Sequence, residues 1–106
     1  MKIDIEELKR LAEDATPGPW VAAISTNMDN KVCHSFGDIC QTGKDIGDAI
    51  FIAAANPAAV LELIRQRDEL LAALKEVRDL GHNYTQVSHR VWIIADDAIT
   101  NAEKSQ

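Results

Sequence analysis

The stretch PAAVLELIRQRDELLAALKEVRDLG, from Pro57 to Gly81, constrains this chain more than any other. Its apolar residues recur at helical spacing over seven turns. Asn56 is placed to cap the start, Pro57 suits the first helical position, and Gly81 offers a C-terminal stop. Val60, Leu63, Leu70, Leu74 and Val77 follow the a/d spacing of a coiled coil. Arg67 breaks that seam, while Leu61, Ile64 and Leu71 widen the apolar stripe. A wide stripe suits a helix bundle better than a two-stranded coil. In a chain of 106 residues such a helix implies a mainly α, single domain spanning residues 1–106. Composition agrees: aromatics are 5 %, and Ala, Leu and Ile supply most of the apolar content.

Other helices are legible around it. DIEELKRLAEDA (Asp4 to Ala15) reads as a first helix capped by Asp4, with Glu7 at the capping-box position. Ile5, Leu8, Leu11, Ala12 and Ala15 form its apolar stripe. DIGDAIFIAAA, from Asp45, is apolar on nearly every side after Asp48 and predicts a buried helix. A last helix is expected with Asn83 as cap and Gln86 three residues on. There Val87, Val91, Ile94, Ala95, Ala98 and Ala102 should face the core, flanked by Trp92 and Ile99. Ile93 falls on the far side with Asp96, Asp97 and Thr100, and the tail EKSQ should fray.

The segment from Trp20 to Gly43 has a different character. Short β-branched and aromatic runs alternate with turn residues, which predicts a small antiparallel meander after the first helix. Asn27 to Asn30 and Gly37-Asp38 are the expected hairpin turns. Val32, His34 and Phe36 should share one face, with Cys33 and Ser35 on the other. ATPGPW (Ala15 to Trp20) joins helix to meander. Pro17 disfavours helical geometry before it, and Trp20 is expected to anchor the turn in the core between helix and sheet. The expected fold is therefore a compact domain of about four helices with one β meander.

Charge and motifs exclude several functions. The net charge of −6 repels phosphates, so direct nucleic-acid binding is disfavoured and a basic protein partner is favoured. No apolar run reaches the length of a membrane span, and the charged N-terminus does not read as a signal peptide. A cytoplasmic protein with reduced Cys33 and Cys40 is expected. Those cysteines lie seven apart without a second close pair, so Cys33, His34, Cys40, His82 and His89 do not match zinc spacing. Adjacent acids such as Glu6-Glu7 and Asp96-Asp97 diverge by about 100° on a helix and do not converge on one substrate. No phosphate-cradling glycine loop is present. The residues predict neither enzyme, metal site nor cofactor.

LKRLAEDATPGPW (Leu8 to Trp20) and DAIFIAAANPAAVLELI (Asp48 to Ile64) resemble the characteristic blocks of Ead-like proteins from phage and prophage accessory regions. In that family a leucine-rich helix runs into T-P-G-P-W, and a later block ends in A-A-N-P-x-x-V-L before a long helix. Residues 21–44, and those beyond Gly81, lie outside the resemblance. It brings no catalytic residues. It implies a phage product acting in the bacterial cytosol, from a group that also looks like a source of anti-CRISPR proteins. The first expected function is thus a small acidic inhibitor of a host-defence protein, such as a CRISPR–Cas component. It would act by steric block or by presenting acidic helix faces in imitation of nucleic acid. Its expected contacts are Glu6, Glu13, Asp96 and Asp97, with Ile93 as an apolar contact. The alternative is a self-associating phage accessory protein without an inhibitory role, a dimer built on the long helix around Leu63, Leu70 and Leu74. The first reading favours a monomer, the second a homodimer.

Overall fold

The computed structural model describes residues 2–83 and 89–104. In chain order the elements are α1 (Ile5–Asp14), β1 (Val21–Ala23), β2 (Asn30–His34), β3 (Gly37–Gly43), α2 (Ile46–Ala54), α3 (Pro57–Asn83) and α4 (His89–Glu103). The fold is mainly α, with a small antiparallel meander after the first helix, as the sequence predicts. The chain falls into two compact units. A sheet unit spans Lys9–Glu62, and a helical unit comprises Met1–Leu8 with Leu63–Gln106.

α1 starts where its cap predicts. The Glu7 N–H donates to Asp4 Oδ1 (3.0 Å), and the Leu8 N–H to the Asp4 carbonyl (2.9 Å). Ile5, Leu8, Ala12 and Ala15 of its stripe are half-buried, whereas Leu11 is exposed. Beyond the helix, the Trp20 indole N–H donates back to the Thr16 carbonyl (3.0 Å). The half-buried ring packs on Val32, Ala49 and Ala53, the core of the sheet unit. The Trp20 anchor is therefore real, and its seat is formed by β2 and α2.

The meander has strand order β1-β2-β3, both pairs antiparallel. Both expected turns move. The tight one is Ser35-Phe36, joining the pair His34↔Gly37, so Gly37 and Asp38 open β3 instead of turning the chain. Phe36 consequently sits in the turn, 94 % exposed, and does not share a face with Val32. The first connection spans residues 24–29, and Asn30 begins β2 fully buried. Its side chain does there what loop backbone cannot. Asn30 Oδ1 accepts the Ser25 N–H (2.9 Å), while Nδ2 donates to the Gly43 carbonyl (2.8 Å). Register shifts beside this clasp and between Val32 and Cys33 mark bulges in the β2–β3 pair. Gly43 has φ +58°, a left-handed conformation that favours glycine as β3 ends.

α2 is capped by Asp45, whose Oδ1 accepts the Asp48 N–H (2.8 Å). The expectation of an all-round buried helix fails. Only Ala49 and Ala53 are buried, Ile52 packs beside them, and Ile46, Ile50 and Phe51 are exposed. Alanines at the contact positions let the helix lie close on β2, so its bulky side chains fall on the other side. Asn56 then caps α3 as expected: Oδ1 accepts the Ala59 N–H (3.0 Å), and Nδ2 donates to the Ala53 carbonyl (2.9 Å).

α3 continues through Gly81 to Asn83, so Gly81 is not its stop and Asn83 belongs to α3, not to the start of the last helix. The expected positions Gln86 and Val87 lie outside the described residues. Within the helical unit the inward stripe of α3 is Ile64, Arg67, Leu71, Leu74 and Arg78, buried or half-buried at heptad spacing. The inward stripe of α4 is Trp92, Ala95, Ile99 and Ala102. Ala95 and Ala102 of the expected set face inward, whereas Val91, Ile94 and Ala98 are exposed and the expected flanking residues Trp92 and Ile99 take the centre. The two helices run antiparallel. Arg67 reaches across to the Ala102 carbonyl (2.8 Å), and Arg78 approaches Asp96 (3.6 Å). The Arg67 bond supplies a donor to a carbonyl in the last turn of α4, where intrahelical partners run out.

Candidate functional site

The α3/α4 hairpin has two unlike faces, and helical geometry fixes which residues share each. At 100° per residue, positions one before the inward stripes lie on the same side of both helices, because the helices are antiparallel. On α3 these are Leu63, Gln66, Leu70, Ala73, Val77 and Leu80, and on α4 Val91, Ile94, Ala98 and Asn101. Among them Leu70 is 72 % exposed, Leu63 65 % and Ile94 59 %. Between the two rows runs an apolar groove of about 250 Å³ lined by Arg67, Leu70, Leu71, Leu74, Ala98 and Ala102. The opposite side carries Arg65, Asp68, Lys75 and Asp79 on α3, and Asp96, Thr100 and Glu103 on α4. There Lys75 pairs with Glu103 (3.2 Å).

Two of the expected contact residues, Ile93 and Asp96, fall on that polar side, and Asp97 lies on the outer surface of α4. Ile93 is 39 % exposed, Asp97 is exposed, and Asp96 is half-buried beside Arg78. Glu6 is exposed in the first turn of α1. Acids elsewhere are compensated locally: Asp14 by Arg10 (3.4 Å), Asp38 by Lys31 (3.5 Å), Asp68 by Arg67 (2.8 Å), and Glu69 by Arg65. Exposed pairs of this kind contribute little stability, yet they shorten the reach of the acidic field.

Glu13 has a more specific setting. It borders a crevice of about 310 Å³ within the sheet unit, together with Ala15, Pro17, Gly18, Pro57 and Leu61. Its walls come from the segment that leaves α1 and from the first turns of α3. These are the two stretches, Leu8 to Trp20 and Asp48 to Ile64, that carry the family resemblance. Nothing in periodicity brings them together. The nearest signal in the sequence is that each contains a proline where a helix stops or starts.

The cysteines are free thiols on neighbouring strands, both half-buried. Cys33 Sγ donates to Asp38 Oδ1 (3.5 Å). Partial burial, then this hydrogen bond and the Asp38 charge, push the Cys33 thiol above its ordinary range, while Lys31 pulls it down more weakly. A thiol so placed is a poor nucleophile at neutral pH. His34 Nδ1 accepts the Phe36 N–H (3.4 Å), and its ring meets the Phe36 ring edge-on. Among the described residues no three His, Cys, Asp or Glu side chains converge as metal ligands. The side chains of His82 and His89 lie outside the description. Among the described residues no single helix is long and apolar enough to cross a membrane, and α2 and α3 reach that apolarity only as a bent pair.

No curated protein and no solved structure matches this chain. A family model does, over residues 1–106, and so covers the meander and the α4 region as well as the two recognisable blocks. By that match, the chain belongs to the Ead/Ea22-like protein family.

Proposed function

We propose that this Ead/Ea22-like chain is a non-catalytic phage product that binds and inhibits a host-defence protein in the bacterial cytosol, with a CRISPR–Cas component as the leading target. The crevice at Glu13 carries this reading. Prolines, alanine and leucine form its walls, and one carboxylate stands among them. That combination suits the aliphatic stem and cationic head of a lysine or arginine on a partner protein. The net charge of −6 favours the approach of such a basic partner. Steric block fits better than imitation of nucleic acid. Asp96, one of the acids such imitation would present, is already paired with Arg78.

A phage-plating assay in hosts with active CRISPR immunity tests the proposal. Expression of the chain is expected to restore plating against one CRISPR type, and Glu13→Lys to abolish that rescue while the protein stays folded. Failure to rescue against every type tested removes the CRISPR form of the reading. Rescue that Glu13→Lys leaves intact removes the crevice. A second reading, self-association, is favoured by a different observation, the exposure of Leu63 and Leu70 along α3.

A further inference from the structure

We infer that the apolar face of the α3/α4 hairpin pairs with the same face of a second copy of this chain, completing a four-helix bundle. An antiparallel hairpin with one ion-paired side and one bare apolar side is half of such a bundle. Both helices build the face: Leu63, Leu70, Val77 and Leu80 from α3, Val91 and Ile94 from α4. The long helix by itself does not supply it. Leu74, at an a position of the presumed coiled-coil seam, is turned inward towards α4 and reaches the face only as the floor of the groove.

Area favours a second copy as the occupant. The exposed parts of those six side chains amount to roughly 600 Å² on one protomer, so a symmetric pair covers about 1,200 Å², the threshold of a stable specific interface. A single apolar patch of that size is also at the upper end of what a monomer leaves uncovered.

Charge selects the arrangement. The outer rim of the face on α3 carries Glu76 and Glu69, the latter already paired with Arg65, and the rim on α4 carries Arg90 and Lys104 beside one acid, Asp97. A two-fold axis parallel to the helices sets α3 against the partner copy's α4, so the glutamate rim meets the mostly basic one. An axis across the helices sets α3 on α3 and brings glutamates together. The structure therefore favours α3 against α4, every neighbour antiparallel. The pairing rests on the self-association reading and is independent of inhibition.

Sedimentation equilibrium of the full chain under reducing conditions, from about 1 μM to about 300 μM, is the test. The expected mass rises from the monomer value of 11.7 kDa to twice that. Leu70→Glu and Ile94→Glu should each weaken the dimer by ~100-fold or more, since each places a charge in the interface twice. Lys75→Ala, on the opposite face, should leave it unchanged. A wild-type chain that stays monomeric overturns self-association itself. A dimer that survives both glutamates overturns this interface while self-association stands. A dimer sensitive only at Leu70 overturns the four-helix arrangement in favour of a coil of α3 alone. Hydroxyl-radical footprinting of the unsubstituted chain reads the same face without a variant. Oxidation of Leu70 and Ile94 must fall as the protein is concentrated, and constant oxidation overturns the proposal.

Discussion

Asn30→Asp exchanges one NH₂ for one oxygen and leaves the shape of the most buried polar side chain in the sheet unit intact. In the native clasp Oδ1 accepts the Ser25 N–H, and Nδ2 donates to the Gly43 carbonyl at 2.8 Å. An ionised carboxylate keeps the first bond and loses the second, and it sets a charged oxygen against the Gly43 carbonyl. Leaving a buried acceptor unsatisfied costs about 1–3 kcal/mol. Burying the charge adds to this, so the expected loss at pH 7 is about 2–4 kcal/mol. The protonated acid, by contrast, donates its O–H to Gly43 and restores the clasp. Folding therefore favours the protonated form and raises the pKa of the introduced carboxyl above its unfolded value of about 3.9. With the folded pKa raised, stability relative to wild type is recovered below about pH 4 and lost as pH rises through the folded value. Urea unfolding of the sheet unit is followed by Trp20, which packs on its core, in a Trp92→Phe background that silences the helical unit. A loss equal at pH 4 and pH 7, or one below about 0.5 kcal/mol at pH 7, would refute the assignment of Asn30 as the clasp of this sheet.

Two further outcomes follow from named contacts. Asp45→Ala removes the side chain that accepts the Asp48 N–H at the start of α2 and should destabilise the sheet unit by about 1 kcal/mol in the same unfolding assay. Asp38→Asn removes a carboxylate that opposes thiolate formation at Cys33, while burial continues to act. In a Cys40→Ser background, the pH midpoint for reaction of Cys33 with a disulfide reagent should move down part of the way to the ordinary thiol value. An unmoved midpoint would show that burial alone holds the thiol up.

Local signals were read correctly because they act within a few residues. A cap bonds to an amide three positions on, so Asp4 and Asn56 placed the starts of α1 and α3. Pro17 marked the end of the α1 region, and Trp20 the anchor after it. The meander was visible from its alternation, but its turn was not. Gly37-Asp38 has good turn chemistry, yet the β2–β3 register puts the reversal at Ser35-Phe36. Ends of elements drifted for a related reason: Gly81 weakens a helix without ending one that is supported elsewhere.

The sequence by itself determined that this chain is mainly helical, where α1 and α3 begin, and which family it belongs to. Those properties depend on spacing and on residues in direct succession. Tertiary structure alone decided which part of each apolar surface is used. A helix with a wide apolar arc has several near-equal inward faces, and only a partner chooses among them. α4 therefore buries Ala95 and Ile99 and leaves Val91 and Ile94 outside, α2 buries its alanines and exposes Phe51, and α3 turns Leu74 in and Leu70 out. The Glu13 crevice is of the same kind. Its walls are more than forty residues apart between Ala15 and Pro57, and only the packing of the sheet unit makes them neighbours.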